Sequence, residues 1–229
     1  MNEKPAHPAV SLLSEKGIPL RSSDFVARGI SRMALHRLVG QNLLERVGNG
    51  LYRLPNSSGM FDDWAVIAAR YPDAVIVTLS AAVFHQTTQE MPASIHVAFP
   101  RSSGRSSLPE SFPVMSRVLR WTATDAYDPF AAGVETHDID GVQVKITSPE
   151  RTLVDMFRYS PFNPSARGSS LHVSEEAFLD CLQRTVSRPQ FSIDAVFDHA
   201  AVGRVDRALT PLIKNAVFLQ SNQPDLPAL

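Results

Sequence analysis

The stretch from Gly29 to Leu54 constrains this chain more than any other, because an amphipathic helical pattern runs directly into two strand-like runs closed by three turn residues. Leu43 to Val47 and Leu51 to Leu54 have strand character, and Gly48-Asn49-Gly50 between them tolerates the positive φ of a tight hairpin. Upstream, Ser31 to Asn42 puts Ala34, Leu35, Leu38 and Val39 on one side of a helix and Arg32, Met33, His36, Arg37 and Gly40 on the other. Two shorter helical patterns come first, Ala9 to Glu15 and Ser23 to Arg28. The first stops at Lys16-Gly17 with Pro19 beyond, Ser22 or Ser23 is placed to cap the second, and Ser31 to cap the third. Gly29 permits the tight turn between helices two and three. Three helices followed by a hairpin is the order of a winged helix-turn-helix, so residues 1–56 are expected to bind double-stranded DNA.

A polar outer face on an isolated helix is ordinarily just a solvated one, but a wing directly after it makes the third helix a recognition helix. Arginine can donate two hydrogen bonds to guanine O6 and N7, and histidine can meet a base edge or a phosphate. Arg32, Met33, His36 and Arg37 are therefore expected to face bases. Arg28, Arg46, Asn49 and Arg53 are expected to face the DNA backbone, with Ser31 at the helix start completing the set. Charge agrees: residues 1–56 carry +4 and the remainder −5, although the whole chain is only −1.

Residues 60–229 read as a larger α+β body after the Asn56-Ser-Ser-Gly59 linker, with strands first and helices after. A helix is expected over Asp62 to Arg70, a buried strand over Ala74 to Leu79 and a short helix over Ser80 to Gln86. Strands follow at Ser94 to Phe99, Val114 to Arg120, Val134 to Asp138 and Val142 to Thr147. Helices close the chain at Pro149 to Tyr159, Ser174 to Val186, Ile193 to Ala200 and Arg204 to Leu219. Ser148-Pro149 is a strong helix start, because proline at the first helical position gives up a hydrogen bond the helix would not have made. Four residues apart on that helix, Arg151 and Asp155 read as an ion pair locking helix to sheet, or alternatively as a phosphate or partner site. Arg101 to Ser107 and Ser160 to Ser170 are rich in small polar residues and are expected to be weakly ordered.

Catalytic patterns are missing from the body. The single Asp-x-Asp, Asp138-Ile-Asp140, precedes Gly141 with no Gly-Ser turn upstream, so a hairpin explains it better than the metal site of a nucleotidyltransferase. No phosphate-binding glycine loop is present, and Ser80 lacks the Gly-x-Ser-x-Gly elbow of hydrolases. The histidines (7, 36, 85, 96, 137, 172 and 199) contain no i, i+4 pair, although His85 and His96 could meet in space. Cys181, alone in the chain, reads as a buried apolar side chain. Neither catalysis, a cofactor nor a metal is expected, and with no membrane-length apolar stretch or leader pattern the expected compartment is the cytoplasm.

Gly29-Ile-Ser-Arg-Met-Ala-Leu-His-Arg-Leu-Val, followed by Leu44-Glu-Arg-Val-Gly-Asn-Gly-Leu-Tyr-Arg-Leu-Pro55, resembles the amino-terminal domain of the AbiEi antitoxins of type IV toxin-antitoxin systems. Thr78-Leu-Ser-Ala-Ala-Val-Phe-His85 and Ile146-Thr-Ser-Pro-Glu-Arg-Thr-Leu-Val-Asp155 are similar to two further segments of that family. The resemblance implies a repressor of its own operon that binds inverted repeats in its own promoter. It also implies a nucleotidyltransferase-like toxin encoded nearby, antagonised without necessarily being touched, and a body of nucleotidyltransferase-like fold without that activity. The residues by themselves support DNA binding, and they leave open a winged-helix-targeted nucleotidyltransferase-like enzyme or a protein-interaction module.

Overall fold

A computed structural model describes residues 6–16, 19–48, 50–55, 62–101, 116–124, 127–139, 142–166 and 171–222. By its contacts the chain divides into two units, Met1–Ala74 with Thr136–Lys145, and Val75–Gly104 with Ser116–Glu135 and Ile146–Leu229. It is a mixed α+β protein with an amino-terminal winged helix-turn-helix and a larger α+β part.

The amino-terminal unit opens with α1 (Pro8–Lys16), β1 (Leu20–Arg21), α2 (Ser22–Val26) and α3 (Arg32–Gly40), then β2 (Glu45–Gly48) and β3 (Leu51–Arg53). Its core is Ala9, Leu12 and Leu13 of α1, Phe25 of α2, Leu35 and Leu38 of α3, with Leu20, Ile30, Leu44 and Tyr52. Phe25 and Tyr52 meet edge to face at 6.0 Å between centroids, a favourable aromatic geometry that ties α2 to the sheet. β3 pairs antiparallel with both β1 and β2, giving the order β1-β3-β2. β1 is an addition to the expected elements: two residues show no alternation, and Leu20 opposite Tyr52 becomes a strand only once β3 is there to pair with. Between Arg46 and Gly48 the β2–β3 register shifts, and Gly50 takes φ +68 in the wing turn.

The larger part contains α4 (Asp62–Arg70), β4 (Val75–Ile76), α5 (Thr78–Phe84), β5 (Ile95–Pro100), β6 (Ser116–Trp121), β7 (Val134–Ile139), β8 (Val142–Thr147), α6 (Pro149–Arg158), α7 (Glu175–Val186), α8 (Ile193–Val202) and α9 (Asp206–Ser221). Within the second unit β5 pairs antiparallel with β4 and parallel with β6. Contacts group α4 with the amino-terminal unit rather than with the body expected from residue 60 onward. Arg53 reaches Asp63 at 3.5 Å and the Arg21 guanidinium donates to the Ala69 carbonyl, so α4 is tied to that unit. Helix α6 is the hub of the other unit, packed against α5, α7 and α8, and its Leu153, Val154, Met156 and Phe157 are fully buried. Phe178 of α7 meets the Phe157 and Phe162 rings in tilted contacts, with centroids 5.6 and 5.3 Å away.

Two expectations about the body change. The strand expected over Ala74 to Leu79 stops at Ile76, and the helix starts at Thr78 rather than Ser80. Thr78 makes the turn at φ +48, rare for a β-branched residue. His96 of β5 holds it there: Nδ1 lies 2.6 Å from the Thr78 hydroxyl, and its backbone N–H donates to the Ser80 hydroxyl at 2.9 Å. His85 donates separately to the Thr147 carbonyl at 2.7 Å, so the two histidines have different partners. The segment from Ser160, expected to be loose, is hydrogen-bonded as far as Ala166, with Ser160 and Asn163 buried. Asn163 donates to the Arg158 carbonyl at 2.8 Å, and Ser160 to Phe157 at 2.9 Å. Residues 167–170 lie outside the described residues, as do 102–115, on which the Arg105 loop falls.

Helix starts follow local chemistry. Ser31, Ser148, Ser174 and Ser192 each accept a hydrogen bond from the backbone N–H three residues on. At α2 neither expected serine is the cap: both lie inside the helix, and Asp24 accepts from the Arg21 N–H at 2.7 Å instead. Ser31→Ala is expected to cost about 1 kcal/mol in urea unfolding. Ser31→Asp should recover most of it, because aspartate also accepts from that N–H; equal losses in both variants would remove the cap from the account.

Candidate nucleic-acid interface

Gly29, at φ +78, closes the turn after α2 while the Ile30 N–H returns to the Phe25 carbonyl at 3.0 Å. That turn directs Ile30 into the core and leaves Ser31 to start α3, whose cap bond to the Ala34 N–H is 3.2 Å. Leu35 and Leu38 point inward at 0% and 4% exposure, which turns the opposite arc of α3 outward. Arg32, Met33, His36 and Arg37 are all exposed on that arc. Met33 is 74% exposed, the largest value among the exposed large apolar side chains, in the first turn of the helix. With nine residues α3 is about 13 Å long, enough to lie in a major groove about 12 Å wide.

Around α3 the remaining expected residues divide. Arg28 is exposed, its guanidinium 3.2 Å from the Asp24 carbonyl. Arg46 is exposed on β2, opposite Tyr52. Asn49 lies outside the described residues. Arg53 differs from the others: it is paired with Glu45 at 2.8 Å and Asp63 at 3.5 Å, and its side chain is 14% exposed. Two carboxylates compensate that cation inside the protein, so it acts first as a strut between β2, β3 and α4. Sequence reasoning missed this because Glu45 becomes Arg53's neighbour only through the hairpin register.

The Arg151–Asp155 pair forms a second polar cluster, in the other unit. Asp155 accepts from the Arg151 Nε at 3.0 Å, and both side chains are nearly inaccessible. Arg151 also donates to the Tyr127 hydroxyl and, at 3.0 Å, to the Ala132 carbonyl, while its guanidinium lies 4.9 Å from the Trp121 ring centroid. These bonds connect α6 to the turn before β7, which favours the locking reading over a phosphate site. Gly133 belongs to that turn at φ +62; a Cβ there would come within 2.6 Å of the His199 ring and 2.9 Å of Arg151 Cβ. Burial raises the Tyr127 and Tyr159 hydroxyls above their ordinary range. Burial also pushes the Cys181 thiol up to about 11.

Burial, and then the Arg151 charge, hold the His199 imidazole below its ordinary range, against Asp155, Asp198 and Glu150. The unfolded chain protonates this histidine near pH ~6.5, the folded chain only at lower pH. Below ~6.5 the unfolded state therefore binds more protons, so His199 lowers stability as the pH falls through that window and leaves it intact above. The urea midpoint should fall between pH 7.5 and 5.5, and His199→Gln should flatten the fall. An unchanged slope in the variant would remove His199 from the effect.

Residues 9–55 match the family described as "Transcriptional regulator, AbiEi antitoxin". The winged helix is AbiEi-like. This AbiEi-like segment contains all of α1 to β3 except Pro8 and thus the whole exposed arc of α3. The match supports a role as transcriptional regulator or antitoxin, and the family is described by regulation rather than by a catalytic activity. Among solved structures, the chain is similar to the RV2827C protein from Mycobacterium tuberculosis, with a TM-score of 0.61 and 16% identity over 91% of this chain and 75% of that one. At that identity the likeness concerns the fold. No curated protein matches the chain. Among the described residues no helix is long and apolar enough to cross a membrane, and no group of three or more His, Cys, Asp or Glu is placed to hold a metal ion.

Proposed function

We propose that this protein is a DNA-binding autorepressor and the antitoxin of a type IV toxin-antitoxin system, antagonising a nucleotidyltransferase-like toxin encoded nearby. The observation that carries the proposal is the exposed arc of α3, two arginines, a histidine and a methionine on a helix whose other face is core, inside an AbiEi-like segment. Arg32 and Arg37 would read guanine edges, Met33 a thymine methyl and His36 a base edge or phosphate. Arg28, Ser31, Arg46 and Asn49 would hold the backbone. Arg53 would set the wing against α4 and reach phosphate only by exchanging its carboxylate partners.

The test is fluorescence anisotropy of the full chain on duplex DNA from upstream of its own gene, with a scrambled duplex as control, across a salt series. Tighter binding to the native duplex is expected, with log affinity falling linearly in log salt at a slope of about −3 for three to four neutralised phosphates. Equal and weak binding to both duplexes would sink the repressor reading. The antitoxin half has its own test, co-expression with the neighbouring nucleotidyltransferase-like reading frame. Growth arrest by that frame alone, relieved by this chain, is the expected result; arrest that persists would overturn it.

A further inference from the structure

We propose that the groove between α7 and α9 is a docking site for a basic amphipathic helix of another protein, a role separate from DNA binding. Leu179, Leu182 and Val186 of α7 face Leu212, Ala216 and Leu219 of α9 across a cleft of about 410 Å³. Leu179 is 42% and Leu219 57% exposed, and Phe218 beside it is 64% exposed. An apolar groove rimmed by exposed apolar side chains gains free energy when covered, which marks an interaction surface.

What covers it is indicated by the charge next to it. Leu179 and Gln183 also line a second cleft of about 770 Å³ along the first half of α7. Its charged residues are Glu90, Glu175, Glu176 and Asp180 against Arg184. Asp180 and Arg184 neutralise each other at 2.5 Å. Among the described residues no cation pairs with Glu90, Glu175 or Glu176; Glu90 accepts only from the Ser174 hydroxyl, at 2.5 Å. Glu175 and Glu176 also suit the start of their own helix, where the macrodipole favours negative charge. That accounts for neither Glu90, which comes from the segment after α5, nor the apolar half of the groove. The twelve residues of α7 extend about 18 Å, so the surface presents about 18 Å of track, acidic at one end and apolar at the other. A helix with apolar residues at i, i+3 or i+4 and i+7, and with Lys or Arg toward one end, complements both halves.

Synthetic labelled peptides of about 14 residues test this on the full-length protein. One has a leucine stripe with lysines in one half, one has those lysines replaced by glutamate, and one is a scramble of the first. The lysine peptide is expected to bind at least about tenfold more tightly than either control, with the margin over the glutamate peptide shrinking in high salt. Leu219→Glu should abolish binding with the thermal midpoint unchanged. Glu175→Lys with Glu176→Lys should reverse the charge preference while lowering the midpoint by only a few degrees, because lysines oppose the macrodipole at that helix start. DNA affinity should be unchanged in both. Equal binding of all three peptides would overturn the proposal. So would a concentration-dependent dimer dispersed by Leu219→Glu, which assigns the groove to a second copy. Binding that appears only after deletion of residues 223–229 would assign it to the chain's own end, and would also overturn it.

Discussion

Arg151→Ala is expected to lower the free energy of unfolding by about 3 to 5 kcal/mol, measured by urea denaturation. The Asp155 carboxylate, 2% exposed, would lose its cation while still shut away from water. The Ala132 carbonyl and the Tyr127 hydroxyl would each lose the donor that now meets them. Against a total of about 5 to 15 kcal/mol for an ordinary domain, this one side chain would account for about a fifth or more. Arg151→Lys should recover little, because an ammonium cannot reproduce a planar fork spread over three acceptors and stacked on Trp121. Arg151→Met combined with Asp155→Leu should recover much of the loss, since it removes the uncompensated charge. A loss below about 1 kcal/mol for Arg151→Ala would show that water or a shifted side chain reaches Asp155, and the locking role would fall.

Arg32→Ala with Arg37→Ala is expected to weaken binding to the native duplex by about 2 to 6 kcal/mol, since each base contact is worth about 1 to 3. The substitutions lie on the exposed arc of α3, so the thermal midpoint should stay within a few degrees of the parent. Affinity for scrambled duplex should change far less, because a base contact discriminates between sequences and a phosphate contact does not. Equal losses on both duplexes, with a shallower salt slope, would reassign the two arginines to phosphate. Met33→Ala gives a smaller signal on the same duplex, confined to sites with thymine under the helix. Under the proposed function the double variant should also lose repression of the promoter upstream of its own gene.

Patterns with a local cause are legible in the amino-acid sequence. The amphipathic period of α3, the serine caps at Ser31 and Ser148, Pro149 at the start of α6 and the φ demanded of Gly29 depend on neighbours within a turn or two. For that reason the residues of α3 divide by periodicity alone into a buried and an exposed arc, and most helices and strands of the body lie within a few residues of expectation. The roles of β1, Arg53, Thr78 and Tyr127 are set by partners distant in the chain. β1 exists because Leu20 finds Tyr52, and Arg53 is compensated because the hairpin brings Glu45 alongside. Thr78 holds φ +48 because His96, eighteen residues away, supplies the hydrogen bond. Tyr127 meets Arg151 only through the fold, twenty-four residues apart. The sequence by itself determined the helix-turn-helix, its wing and the residues presented outward on α3, because periodicity and capping are properties of short segments. The Arg151–Asp155 pair is also legible, because four residues on one helix are neighbours. Only the tertiary structure decided that Arg53 is compensated by Glu45 and Asp63, since an ion pair between different elements depends on distance in space and no spacing along the chain records it.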